Sequence, residues 1–462
     1  MKPIVKNAFL LLSLFIFILF SITGFYYCKT PVCFQSTDAY YYYHEAQNVS
    51  GFHDVFVGTE FLFGKALSFF GLNLVFSISI LSEFFGVLSL FLIYLIVKKI
   101  HSVEAGIVAS FLFSFNYLMA YVFRFGYGDI ESALIFLVLI FIMVFVYFEN
   151  YKYLWLICLG LLTSMFLFWD GFIFLIFVVF VSFAAKLVLD KKIDLAFIFA
   201  FVGATIIFAF IEFDKIYLRL FVHPYAISEL IGMGVLDFVN SAGVLLVLFF
   251  IGVFTYRKKL KEMKYLFLLI YSFTGLIICF FMSRMLYFFM IGLIIWASIG
   301  IMAFVKNKKY FVSVLVIVLL ISAYNAVFVS SMTFPFNGSD FQRVNAINAD
   351  NGTGKVISWW DEGHFYLAFS GKVVVIKGYP SKKNMDIYVD SMSSEDFNFS
   401  VMGFKKLCNC SLFYLPVSDR MKNSYFKNLS NNTFFWQLQK NNLACFTMLN
   451  LVSVWRYDCG KA

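Results

Sequence analysis

Carboxylates collect at three places between long apolar runs. Asp38 stands in Ser36-Thr37-Asp38-Ala39, just ahead of four tyrosines, Tyr40 to Tyr43. Asp129 and Glu131 form an acid-x-acid pair behind Gly126 and Gly128, with Arg124 before them. Glu229 closes Ala226-Ile227-Ser228-Glu229, and Arg284 sits in the turn between two later apolar runs. Acids gathered near a membrane interface hold a hard divalent cation, which takes oxygen ligands and neutralises phosphate oxygens. Taken singly, each has an ordinary reading. A loop acid is usually solvated, Asp129 can cap a helix, and a tyrosine run can be an interfacial belt. The strongest signal is Trp359-Trp360-Asp361-Glu362-Gly363, at the end of a strand-like KVISWW run, Lys355–Trp360. A tandem Trp can be core. Core packing alone does not ask for an acid and a Gly directly after it, at a strand-to-turn transition.

The elements that must position these groups can be read from composition. Of 462 residues, 62% are hydrophobic, 21% aromatic and only 14% charged. An ordinary soluble domain is about 25% charged, and disorder needs low hydrophobicity. Both classes are therefore excluded, and a polytopic helical membrane protein remains. The net charge of +9 is spread in short clusters rather than one patch, which favours membrane orientation over nucleic-acid binding. A bilayer span needs about 20 apolar residues. Eleven runs qualify: 8–26, 73–97, 104–123, 131–148, 152–168, 170–188, 194–212, 241–255, 264–282, 286–304 and 309–330. The first comes after Lys2 and Lys6 without a clear cleavage site and reads as a retained signal anchor.

Lys/Arg bias places the N-terminus in the cytoplasm. Lys98/Lys99, Lys152, Lys186/Lys191/Lys192, Arg257 to Lys264 and Lys306 to Lys309 then all fall inside. The expected domains are a transmembrane catalytic domain, 1–330, with external loops 27–72, 124–130 and 213–240, and an extracytoplasmic domain, 331–462. Seven Asn-x-Ser/Thr sequons, at Asn48, Asn337, Asn351, Asn398, Asn409, Asn428 and Asn431, all fall on the predicted outer side. So do Cys28, Cys33, Cys408, Cys410, Cys445 and Cys459, an even set that suits an oxidising compartment. Cys28–Cys33 is the easiest pair to imagine, but connectivity cannot be deduced from sequence. Beyond 331 the apolar runs shorten. Lys355–Trp360 and Lys372–Lys377 read as strands and Glu395–Phe404 and Asp419–Leu429 as helices, giving a small mixed α/β domain.

WWDEG resembles the WWDYG signature of the catalytic subunit of oligosaccharyltransferase, the enzyme family that glycosylates Asn in sequons. Other motifs come in that family's order. Asp38 is similar to the acid of its first external loop, Asp129-x-Glu131 to its second acidic motif, and Ala226–Glu229 to its TIxE or SVSE motif. Arg284 resembles the Arg that begins a late helix. Tyr414-Leu415-Pro416 with Arg420-Met421 resembles the segment bearing its second sequon-binding motif.

The resemblance implies the C-type glycosyltransferase fold, with thirteen helices where eleven are counted here. It implies Mg²⁺ or Mn²⁺ held by Asp38, Asp129, Glu131 and Glu229. Asp38 and Glu229 would also act on the acceptor amide, with Arg124 beside them in the catalytic group. Arg284 would bind the lipid diphosphate, and Trp359, Trp360, Asp361 and Met421 the sequon. Glu362 departs from the signature's Tyr, and the loop before Glu229 is short, with fifteen residues from Phe213 up to Ser228.

The expected activity is inverting transfer of a glycan from a polyprenyl phosphate or diphosphate carrier to sequon Asn, by a monomer in the plasma membrane. Its partners would be the lipid-linked donor, acceptor proteins and membrane lipids. The alternatives are another C-type glycosyltransferase, such as a protein O-mannosyltransferase, and a transporter. A transporter would want ionisable groups within the spans, whereas here they crowd the loops.

Overall fold

The computed structural model describes residues 3–26, 70–124, 130–149, 173–190, 235–280, 285–304, 338–358, 360–375, 382–418, 432–439, 445–449 and 453–459. Isolated residues between these stretches, such as Ala39, Tyr40, Tyr43, Tyr127 and Met421, are described as well. Contacts divide the chain into two compact units. Residues 1–27, 51–63 and 79–332 form the first; 28–50, 64–78 and 333–462 form the second.

The first unit is helical. It contains α1 (Pro3–Tyr26), α2 (Leu74–Ile100, which begins in the second unit's stretch), α3 (Val103–Phe115), α4 (Tyr117–Val122) and α5 (Ile130–Tyr147). It continues with α6 (Ile173–Asp190), α7 (Val235–Thr255), α8 (Met263–Cys279) and α9 (Leu286–Phe304). Eight of the eleven expected runs are helical here. The runs at 152–168, 194–212 and 309–330 lie wholly or largely outside the described residues. Leu74–Ile100 and Leu286–Ala303 are long and apolar enough to cross a membrane by length and composition.

Run 104–123 is two helices rather than one. Asn116 has an extended backbone, and its side chain accepts the N–H groups of Leu118 and Met119, capping α4 where α3 ends. Ser102 caps α3 in the same way by accepting the Ala105 N–H at 3.2 Å. Run 241–255 begins earlier, at Val235, with a break at Gly243, whose φ of 51° is left-handed.

Several buried hydroxyls in this unit donate to backbone carbonyls. Tyr271 donates to Phe288 O at 2.7 Å and Ser114 to Ser13 O at 3.2 Å, the latter joining α3 to α1. α7 crosses α9 closely. A Cβ on Gly252 would run into the Trp296 carbonyl, and one on Gly300 into the Leu248 carbonyl, so only hydrogen at both positions lets the backbones approach. Gly300→Ala is therefore expected to destabilise the protein by about 1–3 kcal/mol, seen as a lower thermal midpoint in detergent. Gly160→Ala, where a Cβ meets nothing within 4 Å, serves as the control and should not lower it.

The second unit carries α10 (Gly338–Ala349), β1 (Lys355–Val356), α11 (Trp360–Phe369), α12 (Lys382–Ser393), α13 (Phe397–Cys408), β2 (Leu412–Pro416), α14 (Phe434–Gln439), β3 (Phe446–Met448) and β4 (Val454–Asp458). The sheet order is β1-β2-β4-β3. β1 runs parallel to β2, with Val356 opposite Tyr414, and the other two pairings are antiparallel. Phe413 stacks on Tyr457 at 4.8 Å, and Phe404, Phe434, Phe446 and Trp455 complete one core between sheet and helices. The mixed α/β expectation therefore holds for the described residues.

Its details change. Of the KVISWW strand, only Lys355 and Val356 lie in the ladder. Ile357 N–H still reaches Tyr414 O at 2.9 Å, and the chain then enters α11. WWDEG therefore runs into a helix, not into a turn. Lys372–Lys377 contributes a single bridge, Val374 to Val356, with Ile376 and Lys377 outside the described residues. The Glu395–Phe404 helix is found as α13, shifted because Asp396 caps it by accepting the N–H groups of Asn398 and Phe399. Of Asp419–Leu429 only Met421 is described. Cys408 bonds Cys410 and Cys445 bonds Cys459, while Cys158 and Cys279 are free and buried. Cys28 and Cys33 lie outside the described residues.

Candidate functional site

In the second unit, α11 carries several of the candidate residues. Trp360 and Asp361 are its first residues, although the placement of their side chains lies outside the described ones, as does Trp359. Glu362, where the family signature has Tyr, is buried, and the Ser418 hydroxyl donates to its Oε1. Ser418 Oγ in turn accepts the Met421 N–H at 3.1 Å, so Ser418 caps the turn that carries Met421. Met421 itself is buried in the unit's core. The two stretches expected to read the sequon are thus tied through one carboxylate and one hydroxyl.

Other polar groups surround that tie. Tyr366 stands one turn along α11 from Glu362, and Tyr388 projects from α12. Burial, then the negative charge of Glu362, holds both phenols well above their usual pKa. On α10, Arg343 pairs with Asp340, both buried.

Tyr40 and Tyr43 pack on α11 at Phe365 and Phe369, which stand three and seven residues after Glu362 on the same helix face. Tyr40, fully buried, meets Phe365 edge-on at 5.3 Å and Phe369 at 5.7 Å. Tyr43 lies 5.7 Å from Phe369, and Phe341 of α10 closes the cluster 5.0 Å from Phe365. The interfacial-belt reading fails for Tyr40, whose ring is part of a protein core, while Tyr43 is half-buried against it. Ala39 is buried beside them, and Asp38, the residue before it, lies outside the described ones.

In the first unit, Glu131 occupies the first turn of α5 and is buried, at a helix end that favours negative charge. Arg124 is buried too, its guanidinium 4.3 Å from the Tyr121 ring, which packs in turn on Tyr127 at 5.2 Å. That cation–π seat fixes a positive charge near the acidic pair in sequence. Asp129, Glu229 and Arg284 lie outside the described residues. Among the described residues no three His, Cys, Asp or Glu side chains are grouped to hold a metal. Of the four expected ligands only Glu131 is described, and its buried carboxylate is the donor type a hard cation takes.

Sequence reasoning passed over Ser418 and the packing role of Tyr40. Ser418 had a readable signal: it stands three residues ahead of Met421, the spacing of a hydroxyl cap. Removing Glu362 should show the tie. Glu362→Ala leaves the buried Ser418 hydroxyl without this acceptor and should cost about 1–3 kcal/mol. It should also speed amide exchange at Met421. Glu362→Gln, which keeps a carbonyl acceptor, should restore most of the protection.

No family model matches the chain, and no curated protein matches it. Solved structures do. The Archaeoglobus fulgidus oligosaccharyltransferase tethered to an acceptor peptide containing the NVT sequon aligns at TM-score 0.72 and 12% identity, over 92% of this chain and 70% of that one. The A. fulgidus enzyme in complex with Zn and sulfate aligns at TM-score 0.66 and 14% identity, over 91% and 69%. ArnT from Cupriavidus metallidurans bound to undecaprenyl phosphate aligns at TM-score 0.58 and 10% identity, over 100% and 99%. At these identities the likeness establishes the fold: the chain has the architecture these proteins share.

Proposed function

We propose that this chain is an oligosaccharyltransferase that moves a glycan from a polyprenyl phosphate or diphosphate carrier to Asn in Asn-x-Ser/Thr. The observation that carries the reading is the seating of Tyr40 and Tyr43 on α11. It fastens the stretch after Asp38 to the helix that opens with Trp360-Asp361, within one unit. The shared fold supports it, as does a neighbour whose bound ligand is a sequon peptide.

The chemistry is coherent with these residue types. An amide nitrogen is a poor nucleophile because its lone pair is delocalised. Asp38 and Glu229 would accept its two N–H groups, weakening that delocalisation as the bond to the sugar forms. Arg284 would bind the carrier phosphate, and Arg124 adds fixed positive charge. Asp38, Asp129, Glu131 and Glu229 would hold Mg²⁺ or Mn²⁺; a divalent ion is compatible with the Zn complex of a neighbour. A divalent ion held by them would supply charge neutralisation for the departing phosphate. Trp359, Trp360 and Asp361, with Met421, would demand the Ser/Thr hydroxyl, since an acceptor lacking it leaves buried polar groups unpaired. Inversion, a plasma-membrane location with the C-terminal unit outside, and the monomeric state belong to the same proposal.

A second reading is glycosyl transfer from the same carrier class to a different acceptor. It rests on the full-length likeness to ArnT. Linkage analysis of the product decides. Sugar on Asn of a sequon peptide, absent when Asn is replaced by Gln, is the expected result; sugar on Ser or Thr hydroxyl would establish the second reading.

A further inference from the structure

The chain carries seven sequons of its own, and the fold treats them unequally. Asn398-Phe399-Ser400 lies inside α13. Asn398 is exposed, but Ser400 is buried and its hydroxyl donates to Asp396 O at 3.0 Å. An enzyme that must grip the hydroxyl two residues beyond Asn cannot reach it without unwinding the helix. Asn409-Cys410-Ser411 is exposed at both ends, but Cys408–Cys410 closes a ring around Asn409. That ring holds the residue in the left-handed region at φ 46°. Thr433, the hydroxyl residue of the Asn431 sequon, is buried and donates to Ser430 O at 2.8 Å.

Asn351-Gly352-Thr353 differs from all of these. It lies between α10 and β1, in neither helix nor strand, with Asn351 and Thr353 both exposed. The middle residue is the anchored one. The Gly352 carbonyl accepts Lys372 Nζ at 2.6 Å and the Tyr414 hydroxyl at 3.2 Å, and a Cβ there would meet Tyr414 Oη at 2.6 Å. Asp350, just before, accepts a hydrogen bond from Arg456 at 2.9 Å. The backbone is pinned inward at the central position, while the two side chains a sequon-reading enzyme recognises stay exposed.

We infer that Asn351 is a glycan acceptor of this chain's own activity, a modification site in the second unit. The inference rests on the proposed transfer reaction. In the step, the bond between the anomeric carbon and the carrier phosphate oxygen breaks and a bond from that carbon to Asn351 Nδ2 forms. One amide proton is lost to a carboxylate, and the polyprenyl phosphate or diphosphate leaves with its electron pair. No oxidant or reductant is involved.

The test incubates purified full-length protein with Mn²⁺, a glycolipid extract of the source cells and a free sequon peptide, then maps glycopeptides by mass spectrometry. The expected result is glycan on both the free peptide and Asn351. Occupancy at Asn351 should exceed that at Asn398 and Asn409 by about tenfold or more. It should be lost in Thr353→Ala and absent from Asp38→Ala treated alone. A glycosylated peptide beside an unmodified Asn351 would overturn the inference and leave the transfer reading intact. So would equal occupancy at Asn398, or full occupancy in Asp38→Ala. Failure to modify the free peptide would overturn the transfer reading itself, and this inference with it.

Discussion

Asp38→Ala is expected to lower the rate of glycan transfer to a sequon peptide by about 10³-fold or more, with the folded state unchanged. The size reflects the two tasks given to one carboxylate. In the proposed reaction it would accept an amide N–H, a role whose loss typically costs 10²–10⁴-fold, and would complete the oxygen shell of the cation. Asp54→Ala, an acid of the same 27–72 stretch to which neither task is assigned, should leave the rate within about twofold. A chelator should reproduce the Asp38→Ala loss in the unmodified protein, and Mn²⁺ should reverse it. A full-rate Asp38→Ala enzyme, in a lipid-linked donor assay that the chelator still abolishes, would move the chemistry to other residues.

Tyr40→Ala should have the largest structural effect. Its ring is buried and packs edge-on against Phe365 and against Phe369. Truncating a buried large aromatic to Ala costs about 3–5 kcal/mol, and aromatic pairs carry about 0.5–1.5 kcal/mol beyond their burial. Denaturant unfolding should register that loss, while Tyr40→Phe, which keeps the ring contacts, should recover most of it. Transfer should fall in Tyr40→Ala even under conditions where the protein remains folded, because the cluster sets where the stretch after Asp38 meets α11. A Tyr40→Ala protein of unchanged stability and rate would show that the loop is not seated there.

Much of this was legible in the sequence, and the reasons differ by element. The long apolar runs announced their helices because span length is set by backbone geometry and needs no tertiary information. Their internal breaks were less visible. Asn116 ends one helix and starts the next through a side-chain cap, and an apolar count does not register one Asn among Phe and Leu. The second unit was harder. Lys355–Trp360 has strand composition throughout, yet only two of its residues find a partner strand, and from Trp360 the chain is helical. Pairing is a long-range property; β1 depends on β2, which lies more than fifty residues away. WWDEG drew attention by composition, whereas the tie from Glu362 to Ser418 and Met421 depends on a fold that joins distant segments. The tyrosine run showed the opposite failing. An aromatic cluster beside a membrane span fits a belt as well as a core, and only its neighbours Phe341, Phe365 and Phe369 decide the matter.

The central claim is that acids from loops far apart in the chain share one cation. Manganese supplies the direct measurement, because its anomalous scattering locates the ion independently of any assumed ligand. In crystals of the protein grown with Mn²⁺ and a non-reactive sequon peptide, one anomalous peak is expected, bound by carboxylate oxygens of Asp38, Asp129 and Glu229 at about 2.0–2.6 Å. Manganese bound elsewhere, or these three carboxylates lying too far apart for one coordination sphere, would contradict the account.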